Sequence, residues 1–296
     1  MRTRPRMICW ISAATILTAT ATTALAAPTP AHAALPGAAV SSAITPFDSE
    51  PAKTAIAFCG EGKRVTGGGG RITGPGHVVM TRLQPVHTNN RDRFEVSAAE
   101  DEIGTDETWS VQAFAVCADA LPGQEIVSGT AADDGSSSQS AIAQCPDGKR
   151  AISGGGRITG GQGQVHLSAV RNAPTLTLAA GQEDSTGFAG SWTVTAYLVC
   201  ASVDPTTLRF SEFTSGSNSD SPKFESTSCG TIVGFRVTGG GFSIVAPNAA
   251  GDVVIQAVLP EVLIGGVPGT QVRVIARENN PTDEIWRVSA GASCAI

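Results

Sequence analysis

The sequence predicts an all-β fold built from three tandem, disulfide-tied antiparallel β units of about 86 residues, and three observations predict it. The first is a repeated frame. Cys59, Cys145 and Cys229 stand 86 and 84 positions apart, each opens a segment with a glycine run, and each segment closes on a tryptophan eight positions before a second cysteine. The closing pairs are Trp109 and Cys117, Trp192 and Cys200, Trp286 and Cys294. A period of this length marks one structural unit used several times. The second observation is punctuation: short alternating runs are interrupted by Gly, Pro, Asn, Asp and Ser, as strands and turns require. The third is that no window beyond the N-terminal leader carries a 3.6-residue apolar period.

The leader comes first. Arg2, Arg4 and Arg6 precede an apolar stretch from Met7 to about Ala27, and Ala31-His32-Ala33 has the small-x-small form of a signal-peptidase site. Residues 1–33 are therefore read as a secretory signal peptide, and the protein as secreted and extracellular. Thr and Ala dilute the apolar run too far for a membrane anchor, so no stable membrane insertion is expected. A cut after Ala33 removes one of the seven cysteines and leaves an even number. In an exported chain that points to disulfides. Six cysteines allow 15 pairings. The repeat selects Cys59 with Cys117, Cys145 with Cys200 and Cys229 with Cys294, each bridge contributing about 4 kcal/mol by loop-closure entropy.

The formal net charge is −6, and the leader holds three arginines and no acid, so the exported chain is more acidic still. That balance argues against nucleic acid or anionic lipid as a partner, since both are bound through cationic surfaces.

The units follow as residues 38–119, 124–202 and 207–296, joined by short links such as Ala120–Gly123 and Ser202–Pro205. In the second copy the expected strands are Glu125–Ser128, Ser138–Gln144, Arg150–Ile158, Gln164–Val170, Thr175–Ala179 and Trp192–Cys200. Faces of a strand alternate, so Trp192 and Cys200 share a side, which reads as a buried indole packed near the disulfide. The stretches Ala43–Phe58, Gly129–Gln144 and Thr214–Ser228 each supply a polar turn leading into a strand, so every unit begins upstream of its first cysteine. Two architectures stay open: three units with separate cores, or one pseudo-threefold body in which the sheets are shared.

The strings Cys145-Pro146-Asp147-Gly148-Lys149-Arg150, Gly154-Gly155-Gly156 and Trp192-Thr193-Val194-Thr195-Ala196-Tyr197-Leu198-Val199-Cys200-Ala201 resemble a repeat of uncharacterised secreted actinobacterial proteins. The likeness covers nearly all of the exported chain. More distantly, a cysteine opening a glycine-bearing strand and another ending the last strand, three times over, is similar to vitelline membrane outer-layer proteins. That resemblance implies a threefold β-prism. Neither family supplies a catalytic residue. The third copy departs from the motif, with Gly230-Thr231-Ile232-Val233-Gly234-Phe235 in place of the Pro-x-Gly-Lys turn.

The glycine runs lack the helix and the Lys-Ser or Lys-Thr that phosphate cradling needs, because Arg71-Ile72-Thr73 and Arg157-Ile158-Thr159 continue as strand. They read as a bulge, a bend or a close backbone contact under the tryptophan. Lys63, Arg64, Arg71, Lys149, Arg150 and Arg157 are the candidate binding residues, for an anionic group such as a wall-polymer carboxylate. The acids Glu100, Asp101, Glu102, Asp106 and Glu107, and the pair Asp133-Asp134, match no calcium-loop pattern and read as solvated loops. His77, His87 and His166 lack metal-ligand spacing, and His166 is expected to face solvent from a strand. No catalytic residue, metal site or cofactor is assigned.

The function these features favour is a secreted non-enzymatic binding or structural protein, multivalent for carbohydrate or a cell-surface polymer. Trp109, Trp192 and Trp286 as sugar platforms are the weaker alternative to tryptophans in the core. Two rival classes remain: a protein-interaction or inhibitor module, and a secreted hydrolase whose site lies in the first-copy loop from Asn89 to Asp106 with Arg91 and Arg93.

Overall fold

The structure is a computed structural model that describes residues 35–89, 91–247 and 251–296. Residues 1–33, read as a signal peptide, lie outside the described residues. The first repeat comprises β1 (Ala39–Ile44), β2 (Ala52–Phe58), β3 (Arg64–Thr73), β4 (Val78–Val86), β5 (Arg93–Glu100) and β6 (Ser110–Ala118). The second comprises β7 (Glu125–Thr130), β8 (Ser138–Gln144), β9 (Arg150–Gly160), β10 (Val165–Asn172), β11 (Leu176–Glu183) and β12 (Trp192–Ala201). The third comprises β13 (Leu208–Thr214), β14 (Lys223–Ser228), β15 (Arg236–Val245), β16 (Val253–Val262), β17 (Pro268–Glu278) and β18 (Arg287–Ala295).

Alternation sets the faces. On β8, Gln139, Ala141 and Ala143 turn inward while Ser138, Ser140, Ile142 and Gln144 face out, and β2 repeats the pattern around Lys53, Ala55 and Ala57. Within a repeat the strands form two half-sheets, β1-β6-β3 and β2-β5-β4 in the first copy, packed face to face. Their inward side chains make the two-layer core of a sandwich. The three disulfides are those the repeat selects: Cys59–Cys117, Cys145–Cys200 and Cys229–Cys294, each with Cα atoms 5.7 Å apart. Each ties the end of one layer to the closing strand of the other.

No sheet belongs to one repeat. The half-sheet β1-β6-β3 continues into β16-β17-β14 of the third copy, β13-β18-β15 continues into β10-β11-β8 of the second, and β2-β5-β4 of the first continues into β9-β12-β7 of the second. Both architectures left open are thus partly realised. Each repeat keeps its own sandwich and bridge, and three six-stranded antiparallel sheets, each crossing from one sandwich to the next, join them into a single body with continuous apolar packing.

The glycine runs make those crossings. Each seam holds only two register pairs, such as Arg82 with Arg157 and Leu83 with Gly156, because the sheet creases there. A Cβ on Gly69 or Gly155 would collide with the carbonyl oxygen of Val258 or Leu83, and one on Gly241 would lie 2.6 Å from that of Val170. Nearer the centre, Gly67, Ser153 and Gly239 meet where the three runs converge, and Thr238 Oγ1 donates across repeats to the Ile152 carbonyl at 2.7 Å. A bulge interrupts the ladder at Thr66, Ile152 and Thr238. The close contact is with the neighbouring repeat, not with the tryptophan.

The tryptophans are core, with Trp109 and Trp286 fully buried and Trp192 2% exposed. The indole does not pack by the disulfide, however. Eight residues at about 3.4 Å each put Trp192 and Cys200 on one face but at opposite ends of β12. The indole N–H instead donates to a glutamate at the end of the fifth strand of its repeat: Glu100 at 3.0 Å, Glu183 at 2.8 Å and Glu278 at 3.1 Å. The tryptophan carbonyl is met from the second strand by Lys53, Gln139 or Lys223. Lys223 sits 4.0 Å above the Trp286 ring, and desolvation holds its ammonium below the ordinary lysine range.

Beyond the glycines, β4, β10 and β16 pack on one another, with Val79, His166 and Val254 at corresponding buried places. His166 does not face solvent as the strand alternation suggested. It is 1% exposed, its Nε2 has no partner, and burial lowers its pKa to about 4 against the smaller opposing effects of the Val253 backbone and Asp252. The unfolded imidazole titrates near 6.5, so the unfolded chain binds the extra proton first and stability falls as pH drops from about 6.5 to 4. His166→Val, which installs the residue of the other copies, should remove up to about 3 kcal/mol of that acid loss. Asp184, raised to about 6 by desolvation and then by Glu102, acts oppositely, but parent and variant share it. Thermal melts of both proteins between pH 7 and 4 test this, and parallel pH slopes would refute it.

Candidate functional site

Because each sheet bends at its seam, its outward face lines a cleft between two neighbouring sandwiches. At two seams an aromatic ring covers the glycine, although hollows of about 540 Å³ and 180 Å³ remain beside Pro85 and Pro260. Phe114 lies in register beside Gly69 and Tyr197 beside Gly155, covering the bare backbone as aromatics do across a strand pair. From the other side Pro260 and Pro85 close over the same glycines.

The cleft between the second and third repeats differs at each of these places. Gly291 stands beside Gly241 where the other sheets have an aromatic ring. Asn172 replaces the proline, and Ser293 replaces Val116 and Val199 immediately before the closing cysteine. The result is a pit of about 150 Å³ floored by Gly241 and Gly291 and walled by Phe210, Val170 and Asn172. Ser293 also lines it, fully buried, with an Oγ that has no hydrogen-bond partner. At the rim Arg171 of the second repeat and Glu212 of the third form an ion pair at 3.1 Å across the seam.

A wider basin of about 610 Å³ adjoins the pit and shares Phe210 and Ser211 with it. Its lining includes Pro174, Pro205, Leu208, Arg150 and Arg209 and no acidic residue. Arg209 lies 4.8 Å over the Phe235 ring, a cation–π contact.

The six basic residues singled out from sequence are dispersed. Lys63 pairs with Asp119 at 2.5 Å, Arg64 with Asp92 at 2.8 Å, and Lys149 with Glu125 at 2.6 Å. Arg71 is exposed at the seam with β16, and Arg157 faces Arg82 across the seam with β4. Arg150 alone of the six lines the basin. Its counterpart Arg64 is neutralised by Asp92, whose carbonyl accepts the Cys59 amide; in the second copy Thr175 does that job and brings no charge.

The acids of the first copy do structural work. The stretch from Asn89 to Asp106 is not a single loop but contains strand β5, with Arg91 donating to the Cys59 carbonyl and Arg93 paired to Glu95. Glu100 holds Trp109; Asp101 caps the amides of Ile103 and Gly104 and accepts from Asn279 of the third repeat at 2.7 Å. His77 lies 2.9 Å from the same carboxylate. Among the described residues no group of three or more His, Cys, Asp or Glu side chains is arranged to hold a metal ion.

Sequence reading missed the pit residues and the glutamates. The glutamates had a signal: each stands eight or nine positions before the tryptophan and is followed by Asp101, Asp184 or Asn279. Compared with known proteins, the chain matches no family and no curated protein.

Proposed function

We propose that this is a secreted, non-enzymatic binding protein that takes a carbohydrate of a cell-surface polymer in the cleft between its second and third repeats. One observation carries the reading: with Gly291 and Asn172 in place of an aromatic and a proline, the seam glycine Gly241 floors an open pit, whereas a ring stands beside Gly69 and Gly155 in the other two sheets. A volume of about 150 Å³ suits one six-membered ring. The pit offers what a sugar needs, an apolar face at Phe210 beside the amide of Asn172 and the charged pair of Arg171 and Glu212. The unequal linings favour one specialised site over three equal ones. Three disulfides suit an extracellular setting, and among the described residues no helix is long and apolar enough to cross a membrane.

Retention on a panel of insoluble polysaccharides tests the reading. Gly291→Phe is the informative variant, because a Cβ there meets Gly241 at 3.4 Å, ordinary contact, and the ring fills the pit as Phe114 does in its own sheet. The protein should be retained on at least one polymer and the variant should not. Retention of neither, or equal retention of both, would overturn the proposal.

A further inference from the structure

We infer that the ligand is an acidic polysaccharide, with a uronate ring in the pit and its neighbour's carboxylate on Arg150 and Arg209; this rests on the cleft being a carbohydrate site. In a chain of net charge −6 the basin brings together Arg150 and Arg209 with no acidic residue in its lining. Arg150 is half-buried and neither it nor Arg209 has an ion pair among the described residues. The half-buried Arg150 guanidinium without a carboxylate is costly for the free protein and becomes favourable when an anion arrives. The second repeat lost the acid that would have quenched Arg150, since Thr175 occupies the place of Asp92. Arg209 rests over the Phe235 ring at 4.8 Å and is otherwise exposed, free to meet carboxylate oxygens.

The pit supplies an independent observation. Ser293, one of the residues around the pit, carries a fully buried Oγ without a partner, and pit and basin share Phe210 and Ser211. Buried hydroxyls are ordinarily satisfied, and this orphan lies beside a ring-sized cavity. Basin and pit meet at the edge strand β13, whose Arg209 and Phe210 project from opposite faces, so a ligand that reaches both is a polymer and not a small free anion.

Titration calorimetry with hexagalacturonate, and with the same hexamer after reduction of its carboxylates to alcohols, decides the matter. The acidic hexamer should bind; the reduced one should bind at least about 10-fold more weakly, as the loss of one charged hydrogen-bond pair predicts. Arg150→Gln and Arg209→Gln should each weaken the acidic hexamer by about 10-fold and leave the reduced one unaffected. Gly291→Phe should abolish binding of both without lowering the melting temperature. Equal affinity for the two hexamers, or full affinity in Arg150→Gln, overturns the acidic ligand while the carbohydrate reading stands. Binding of neither hexamer at millimolar concentration also overturns the inference, and loss of the Gly291-dependent polysaccharide retention would remove the broader reading with it.

Discussion

Gly155→Ala should abolish the native fold at 37 °C, although it adds one methyl group to a strand interior. The new Cβ would run into the Leu83 carbonyl oxygen and lie 3.0 Å from both the Leu83 carbonyl carbon and Pro85 Cδ. These atoms belong to the crease that joins two repeats, so relief requires separating β4 from β9. Backbone against a methyl group cannot be resolved by a rotamer change, and a loss of about 3–5 kcal/mol follows, comparable with the whole stability of many domains. Gly216→Ala is the control, because nothing lies within 4 Å of its added Cβ and its φ is not in the left-handed region. Circular dichroism melts of the two variants measure the contrast. A cooperative transition for Gly155→Ala within a few degrees of the parent would show that the crease is not what demands glycine.

An isolated second repeat, residues 124–202, should fail to behave as a folded monomer. It retains a disulfide and a two-layer core, which on burial alone would favour folding. It loses the partners of β9 and β10, whose edges pair with β4 and β15 in the intact protein. Two unpaired edges carrying exposed N–H and C=O groups beside bare glycines are sites of association. The expected product is a trimer that rebuilds the three seams, or an aggregate. Analytical ultracentrifugation distinguishes these from a compact monomer, and the monomer would refute the account of the seams.

The parts of the fold legible in the sequence were those written three times. The cysteine frame selected the disulfides correctly, and alternation placed Trp192, Val194, Ala196 and Leu198 on the buried face of the closing strand. What periodicity could not convey was which strand pairs with which. Strand β3 has the same alternation whether its neighbour is β4 or β16, and only the bare backbone of Gly69 and Gly155 hinted that another chain segment presses there. His166 failed for a related reason. Alternation assigns a face, but both faces of β10 are covered once three such strands meet. The candidate site was least legible, because it consists of departures from the repeat. Gly291, Asn172 and Ser293 are unremarkable residues until the structure shows that their counterparts are plugs.

The pairing of seams also closes the molecule upon itself. Leu35 N–H donates to the Ile296 carbonyl at 3.1 Å, so the last repeat meets the first much as the two internal links bring neighbours together. An open solenoid can gain or shed a copy at its end and merely change length. Here a fourth copy would find every seam strand already paired, and loss of one copy would expose two, so the number three is imposed by the ring itself. A ring has no first member either: a chain opened at Ala120–Gly123 and joined across Leu35 and Ile296 would trace the same three seams in a different order of synthesis.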